Sequence, residues 1–152
     1  MKVHEESHRL PYTAVQMFDL VVNVERYPEF LPGYLWAGIR GRSGDTLYVD
    51  QAVGFRGIPW RFSSVAILKR PERITICSMD SPFRYLEIDW RFTTLPAGCH
   101  VAFRLTYEFN SRILDTVIGG WFDAIAERIV TAFLEQAHRV YGTPFCREIT
   151  SP

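Results

Sequence analysis

The 152-residue chain has no surplus of either charge. Its 17 Lys and Arg match its 17 Asp and Glu, for a formal net charge of zero at pH 7. A protein that neutralises nucleic-acid phosphates needs a basic excess, because counterion release carries much of its affinity. No DNA partner is therefore expected. Cysteine is scarce, and Cys77, Cys99 and Cys146 form no C-x-x-C pair. An odd, unpaired set argues against a disulfide framework and for a reducing, cytoplasmic setting. No apolar run approaches the ~20 residues of a membrane span. The polar opening from Lys2 to Arg9 lacks the charged-then-apolar form of a signal peptide. G-x-S-x-G, P-loop and G-x-G-x-x-G patterns are missing too.

One chemical motif is present on paper. His4-Glu5-Glu6-Ser7-His8 has H-E-x-x-H spacing, which holds zinc only when a helix stacks both histidines on one face. Here it lies in a short polar segment just before Pro11. In a strand its histidines would stand ~13 Å apart, so no metal is expected.

What the chain does have is hydrophobic and aromatic mass, 47% and 14% of its residues, a globular profile of a size for a single domain over residues 1–152. Residues 2–9 read as an edge strand. Thr13-Ala14-Val15-Gln16 is a capping box, opening a short helix with Val15, Phe18, Val21 and Val22 on one face and Asn23 at its end. Two prolines, Pro28 and Pro32, keep the next segment to one helical turn and a loop. Strand patterns follow at 35–40, 46–55, 60–69, 73–79, 83–94 and 99–109, with turn residues between them, as in an antiparallel meander. Leu86, Ile88, Trp90 and Phe92 alternate with Glu87, Asp89 and Arg91, so one face is dry and the carboxylates face out. A last helix spans roughly 113–141, about 40 Å at 1.5 Å per residue. Gly119-Gly120 inside it marks a kink or a close approach to bare backbone. The tail beyond Gly142 reads as frayed.

The inward rows are bulky: Trp36, Phe55, Trp60, Phe62, Trp90, Phe103, Trp121 and Phe122. Packed on each other they make an ordinary core. Large hydrophobes in the turns, Phe30-Leu31-Pro32 and the segment from Phe55 to Trp60, point instead to the rim of a pocket or a contact surface. Gln51 and Ser64 are the polar residues on inward rows. They bond to backbone or water, or to an oxygen of a ligand.

Several segments carry a family resemblance. Val24-Glu25-Arg26-Tyr27-Pro28-Glu29-Phe30-Leu31-Pro32 resembles a V-x-x-Y-P-x-F-[VL]-P signature. Ser81-Pro82-Phe83-Arg84 resembles a G-P-F-[KR] turn, with Ser81 in place of the glycine. Trp90-Arg91-Phe92 resembles a W-x-F strand, and Tyr107 to Leu114 resembles the entry to a last helix. These are motifs of the coenzyme Q-binding branch of the START-like polyketide cyclase/dehydrase superfamily, a branch that also holds a bacterial ribosome-association toxin. The resemblance implies an α+β helix-grip fold, with a curved antiparallel sheet wrapped around the C-terminal helix. It implies a non-enzymatic carrier of a lipophilic ligand, ubiquinone first, in respiration or quinone biosynthesis, with no required cofactor. The expected ligand-lining set is Phe30, Leu31, Trp36, Gln51, Phe55, Trp60, Phe62, Trp90, Phe103, Trp121, Phe122 and Ile125. Trp60, Trp90 and Trp121 would stack on the quinone head, and Gln51 would bond its carbonyl. The loops at Phe30-Leu31 and Phe55-Ile58 would touch a membrane from outside, placing the protein in the cytoplasm or at the inner membrane. Two alternatives stay open, a ribosome-associating protein and a polyketide cyclase or dehydratase.

Overall fold

The computed structural model describes residues 1–55 and 57–142. Arg56, Cys146 and the tail expected to fray lie outside the described residues. Strand β1 (Lys2–Leu10) is followed by helix α1 (Ala14–Val22) and a 3-10 helix, Val24–Glu29. Then come β2 (Tyr34–Ser43), β3 (Thr46–Phe55), β4 (Ile58–Lys69), β5 (Arg73–Ser78), β6 (Phe83–Leu95) and β7 (Gly98–Phe109). Helix α2 (Arg112–Tyr141) is the last element among the described residues. The strands form one antiparallel sheet in the order β1-β7-β6-β5-β4-β3-β2. From β2 to β7 the meander pairs each strand with its successor, and β1 adds to β7 as an edge, as its sequence suggests.

Local chemistry sets the boundaries. The Thr13 hydroxyl accepts from the Gln16 backbone N–H at 3.1 Å, and the Gln16 side chain accepts from Thr13 N–H at 2.9 Å. This reciprocal box fixes where α1 starts. The face it turns inward is Ala14, Met17, Phe18 and Val21, while Val15 is 40% exposed. The expected face through Val15 is thus corrected by one helix position. Phe18 meets Phe92 of β6 edge to face, with ring centroids 6.1 Å apart.

Helix α2 runs unbroken through Gly119-Gly120. A Cβ on Gly119 would stand 2.9 Å from Asp115 Oδ1 and 3.4 Å from Lys2 Nζ. Lys2 lies across that bare backbone, 3.3 Å from Asp115 and 3.2 Å from Asp123. Gly119 therefore makes room for a clasp between α2 and β1. No helix among the described residues is long and apolar enough to cross a membrane.

Candidate functional site

Helix α2 packs closely on β7, β1 and α1 and stands off from β3, β4 and β5. The gap is an apolar cleft. From α2, Trp121, Phe122, Ile125, Ile129 and Phe133 face it, a stripe at four-residue steps. The sheet contributes inward rows: Val49, Gln51 and Val53 of β3, Phe62, Ser64 and Ala66 of β4, Leu86, Ile88 and Trp90 of β6, Phe103 and Leu105 of β7. Tyr27, Leu31, Pro32 and Tyr34 close the side between α2 and β3. The enclosed cavity measures about 70 Å³, well below the roughly 300–1,000 Å³ of small-molecule sites. A ligand must open it.

The opening has an identifiable seam. Gly33 has φ +80°, a left-handed conformation that glycine adopts freely, and its backbone lies against α2. A Cβ there would stand 2.9 Å from Ile125 Cδ1 and 3.6 Å from the Trp121 ring. Phe55 meets the same indole, with centroids 5.0 Å apart. The seam is held by side-chain packing.

One polar chain crosses the cleft. Tyr34 O–H donates to Gln51 Oε1 at 3.2 Å, and Gln51 Nε2–H donates to Ser64 Oγ at 2.7 Å. Gln51 and Ser64 are both buried. The chain fixes the amide orientation and leaves the Ser64 proton for an acceptor in the cleft. Burial pushes the Tyr34 phenol up from its ordinary value, and burial does the same to Tyr27. The Tyr27 hydroxyl donates to the Val21 carbonyl. These two phenols are the only ionisable side chains lining the cleft among the described residues. A ligand here meets rings, branched aliphatics and neutral hydrogen-bonding groups.

The structure brings together Leu31, Gln51, Phe62, Trp90, Phe103, Trp121, Phe122 and Ile125 of the expected set. Phe55 is buried behind the seam against Trp121. Phe30 supports the wall from outside, edge-on to Phe133 at 5.2 Å and to Tyr27 at 6.1 Å. Neither Phe30 nor Leu31 is an exposed loop tip, since Leu31 is buried and Phe30 packs on the core. Trp60 packs beside the cleft, and its indole nitrogen is the one buried side-chain polar atom without a partner among the described residues.

Trp36 is a correction. It pairs with Ala52 on the outer face and is 53% exposed, with its ring over Gly38. A register shift between Tyr34 and Trp36 is the cause. It breaks the usual two-residue alternation, so Tyr34 points in and Trp36 points out. Tyr27, Tyr34 and Phe133 are among the lining residues outside the expected set. Phe133 lies in the helical spacing of α2, and Tyr34 falls just before the 35–40 strand pattern, as the first residue of β2.

The other candidate chemistry lies outside the cleft. His4, Glu6 and His8 alternate along β1, with Glu6 2.7 Å from His4 and 3.2 Å from His8. No metal-binding cluster of His, Cys, Asp or Glu occurs among the described residues. Burial disfavours the charge on Asp89, but hydrogen bonds from Arg73 and Arg91 outweigh it and hold the carboxyl below its usual range. Cys99 is buried, which pushes its thiol up to about 11.

Comparison with known proteins accords with this geometry. The family model for polyketide cyclase / dehydrase and lipid transport matches residues 10–134. Ribosome association toxin RatA of Vibrio cholerae is 35% identical over 143 residues, 93% of this chain and 99% of the relative. Coenzyme Q-binding protein COQ10 homolog B, mitochondrial, of Xenopus laevis is 27% identical over 91% of this chain and 59% of its own length. A START superfamily protein from Mycobacterium smegmatis superposes with TM-score 0.76 at 14% identity, covering 91% of this chain and 98% of that one, a likeness of fold.

Proposed function

The chain belongs to the polyketide cyclase / dehydrase and lipid transport family, and from that premise we propose that it is a non-enzymatic carrier of a quinone-type lipid, ubiquinone first. The observation that carries the reading is an aromatic, apolar cleft crossed by one neutral hydrogen-bonding chain. An isoprenoid tail gains about as much from a bilayer as from a protein interior, so the head must supply selectivity. A quinone ring is flat and bears carbonyls. Trp90, Phe103 and Trp121 offer faces and edges to stack on, and the Ser64 hydroxyl offers a donor to one carbonyl. The ring enters by parting Gly33 and Phe55 from Trp121 and Ile125, and the tail lies along that seam.

Turnover by a cyclase or dehydratase calls for a base or acid near neutrality. The two phenols in the cleft stay protonated, so the lining favours holding a ligand over changing it. The setting that goes with this reading is the cytoplasm and the inner-membrane surface, in support of respiration or quinone biosynthesis. The test is tryptophan quenching by ubiquinone, compared with a polyisoprenoid that lacks the quinone ring. Saturable quenching by the quinone alone is expected, and equal response to both ligands sinks the head-recognition argument.

A second reading rests on a specific observation: the relative matched at 35% over nearly its whole length bears the name of a ribosome association toxin. Zero net charge weighs against contact driven by RNA phosphates. Cosedimentation with ribosomal subunits across a salt series separates the two. Binding that survives high salt supports a protein-mediated ribosome contact, and no cosedimentation removes this reading.

A further inference from the structure

Six large exposed hydrophobic residues share one end of the molecule, while others, such as Val15, Ile67 and Val140, are scattered singly elsewhere. The β3–β4 and β5–β6 turns, the start of β2 and the start of α2 share that end. Leu35, Trp36, Ile58, Met79, Ile113 and Val117 lie there, each between 53% and 80% exposed. At the opposite end the β2–β3 and β4–β5 turns carry Asp45, Arg70 and Glu72, and the β6–β7 turn carries only the small apolar pair Pro96-Ala97. Single exposed apolar side chains are ordinary, but a cluster marks a contact surface.

This cluster is continuous with the cleft. Ile113, Val117, Trp121 and Ile125 follow at four-residue steps along α2, so one stripe runs from the exposed end to the seam. On the facing bank, Ile58 pairs with Phe55, whose ring lies 5.0 Å from Trp121. Leu35 covers Gly54, where a Cβ would stand 3.2 Å from its methyl group. Trp36, turned outward by the register shift, belongs to this rim and not to the cleft.

The charges at this end discriminate between partners. Lys2 is held by Asp115 and Asp123, and Arg84 lies 3.9 Å from Glu108. Arg61 and Arg112 are exposed and form no ion pair among the described residues, against one exposed carboxylate at this end without an ion pair, Asp80, which accepts from the Ser63 backbone N–H. An apolar rim with a Trp and unpaired arginines fits the interface of an anionic bilayer, where apolar groups enter the acyl boundary and cations meet headgroups.

We propose that this end docks on an anionic lipid bilayer, with Ile113 and Val117 of α2 and Ile58 of the β3–β4 turn entering the interface beside Leu35 and Trp36. The proposal deepens the lipid-carrier reading and rests on it. Docking sets the seam against the bilayer, so an apolar ligand passes between membrane and cleft without crossing water.

The test is flotation with phosphatidylcholine vesicles, with and without phosphatidylglycerol. It uses the native chain, the double variant Ile113→Asp/Val117→Asp, and Ile67→Asp. Ile67 is an exposed apolar residue on the outer face of the sheet and serves as the control. The native chain and Ile67→Asp are expected to float with the anionic vesicles, and the double variant to lose about tenfold or more in affinity. Ubiquinone uptake from dilute solution, read by tryptophan quenching on the same proteins, should be equal in all three. Absence of the native chain from both vesicle types overturns the proposal, as does equal loss in Ile67→Asp. A face that binds ribosomal subunits through Ile113 and Val117, and not vesicles, overturns it in favour of a ribosomal partner. Flotation as expected with no quinone uptake in any protein upholds the docking face and refutes the carrier reading.

Discussion

Replacing Ser64 by Ala separates a structural role of the polar chain from a recognition role. Ser64 Oγ is buried and accepts from Gln51 Nε2 at 2.7 Å. Its removal leaves that amide N–H without an acceptor in an apolar cleft, which costs ~1–3 kcal/mol. Urea denaturation should show a loss of this size with an unchanged m-value. The second effect is on the ligand. A neutral hydrogen bond from the Ser64 hydroxyl to a quinone carbonyl contributes ~0.5–1.5 kcal/mol, so Ser64→Ala should raise the Kd for ubiquinone roughly 2- to 13-fold. A polyisoprenoid without the ring makes no such bond, and its weak association should not change. The assay is tryptophan quenching with both ligands at a temperature where the variant is fully folded. Equal weakening for both would mean that the mutation only disturbs packing. An unchanged quinone Kd would remove Ser64 from recognition.

Three further outcomes follow from the packing. Trp90 is 2% exposed and meets Phe103 at 4.6 Å and Phe133 at 5.1 Å, so Trp90→Ala should cost ~3–5 kcal/mol, and a loss below ~1.5 kcal/mol in denaturant unfolding would contradict this packing. Trp36→Ala should change stability by no more than ~0.5 kcal/mol and leave quinone binding from solution intact, whereas Trp121→Ala should weaken that binding; titration of the two variants reverses the assignment if the effects are exchanged. Burial raises the phenols of Tyr27 and Tyr34, so below ~pH 9 both folded and unfolded chains keep these protons and the two phenols add no pH dependence. Above ~pH 10 the unfolded chain loses them first, and each phenol should lower stability by ~1.4 kcal/mol per pH unit. Stability curves measured above ~pH 10 should be shallower for Tyr34→Phe by one such share, and parallel slopes would refute the burial of Tyr34.

Much of this architecture is legible in the chain because its signals are local. The Thr13–Gln16 box places a helix start, and the alternation through Leu86–Phe92 and the four-step stripe of α2 each place a face, with no knowledge of neighbours. Trp36 and Val15 show where local reading fails. One residue of irregular pairing between β2 and β3 turns Trp36 outward and Tyr34 inward, and no property of either residue announces that shift. The inward face of α1 is chosen by how the helix crosses β5 and β6, a tertiary choice that leaves Val15 outside. The polar chain was half visible: Gln51 and Ser64 fall on inward rows, but the partnership with Tyr34 depends on the same irregular pairing. The size of the cavity was not legible at all. It is set by how far α2 stands off the sheet, and that distance depends on many side chains at once.

Native mass spectrometry with organic extraction, on protein purified from a quinone-producing host, bears most directly on the central claim. The account predicts a co-purifying quinone at near-stoichiometric amount, released by solvent and reduced in Ser64→Ala. A bare protein mass that takes up no added quinone would contradict the account and leave a protein or ribosomal partner as the function of this fold.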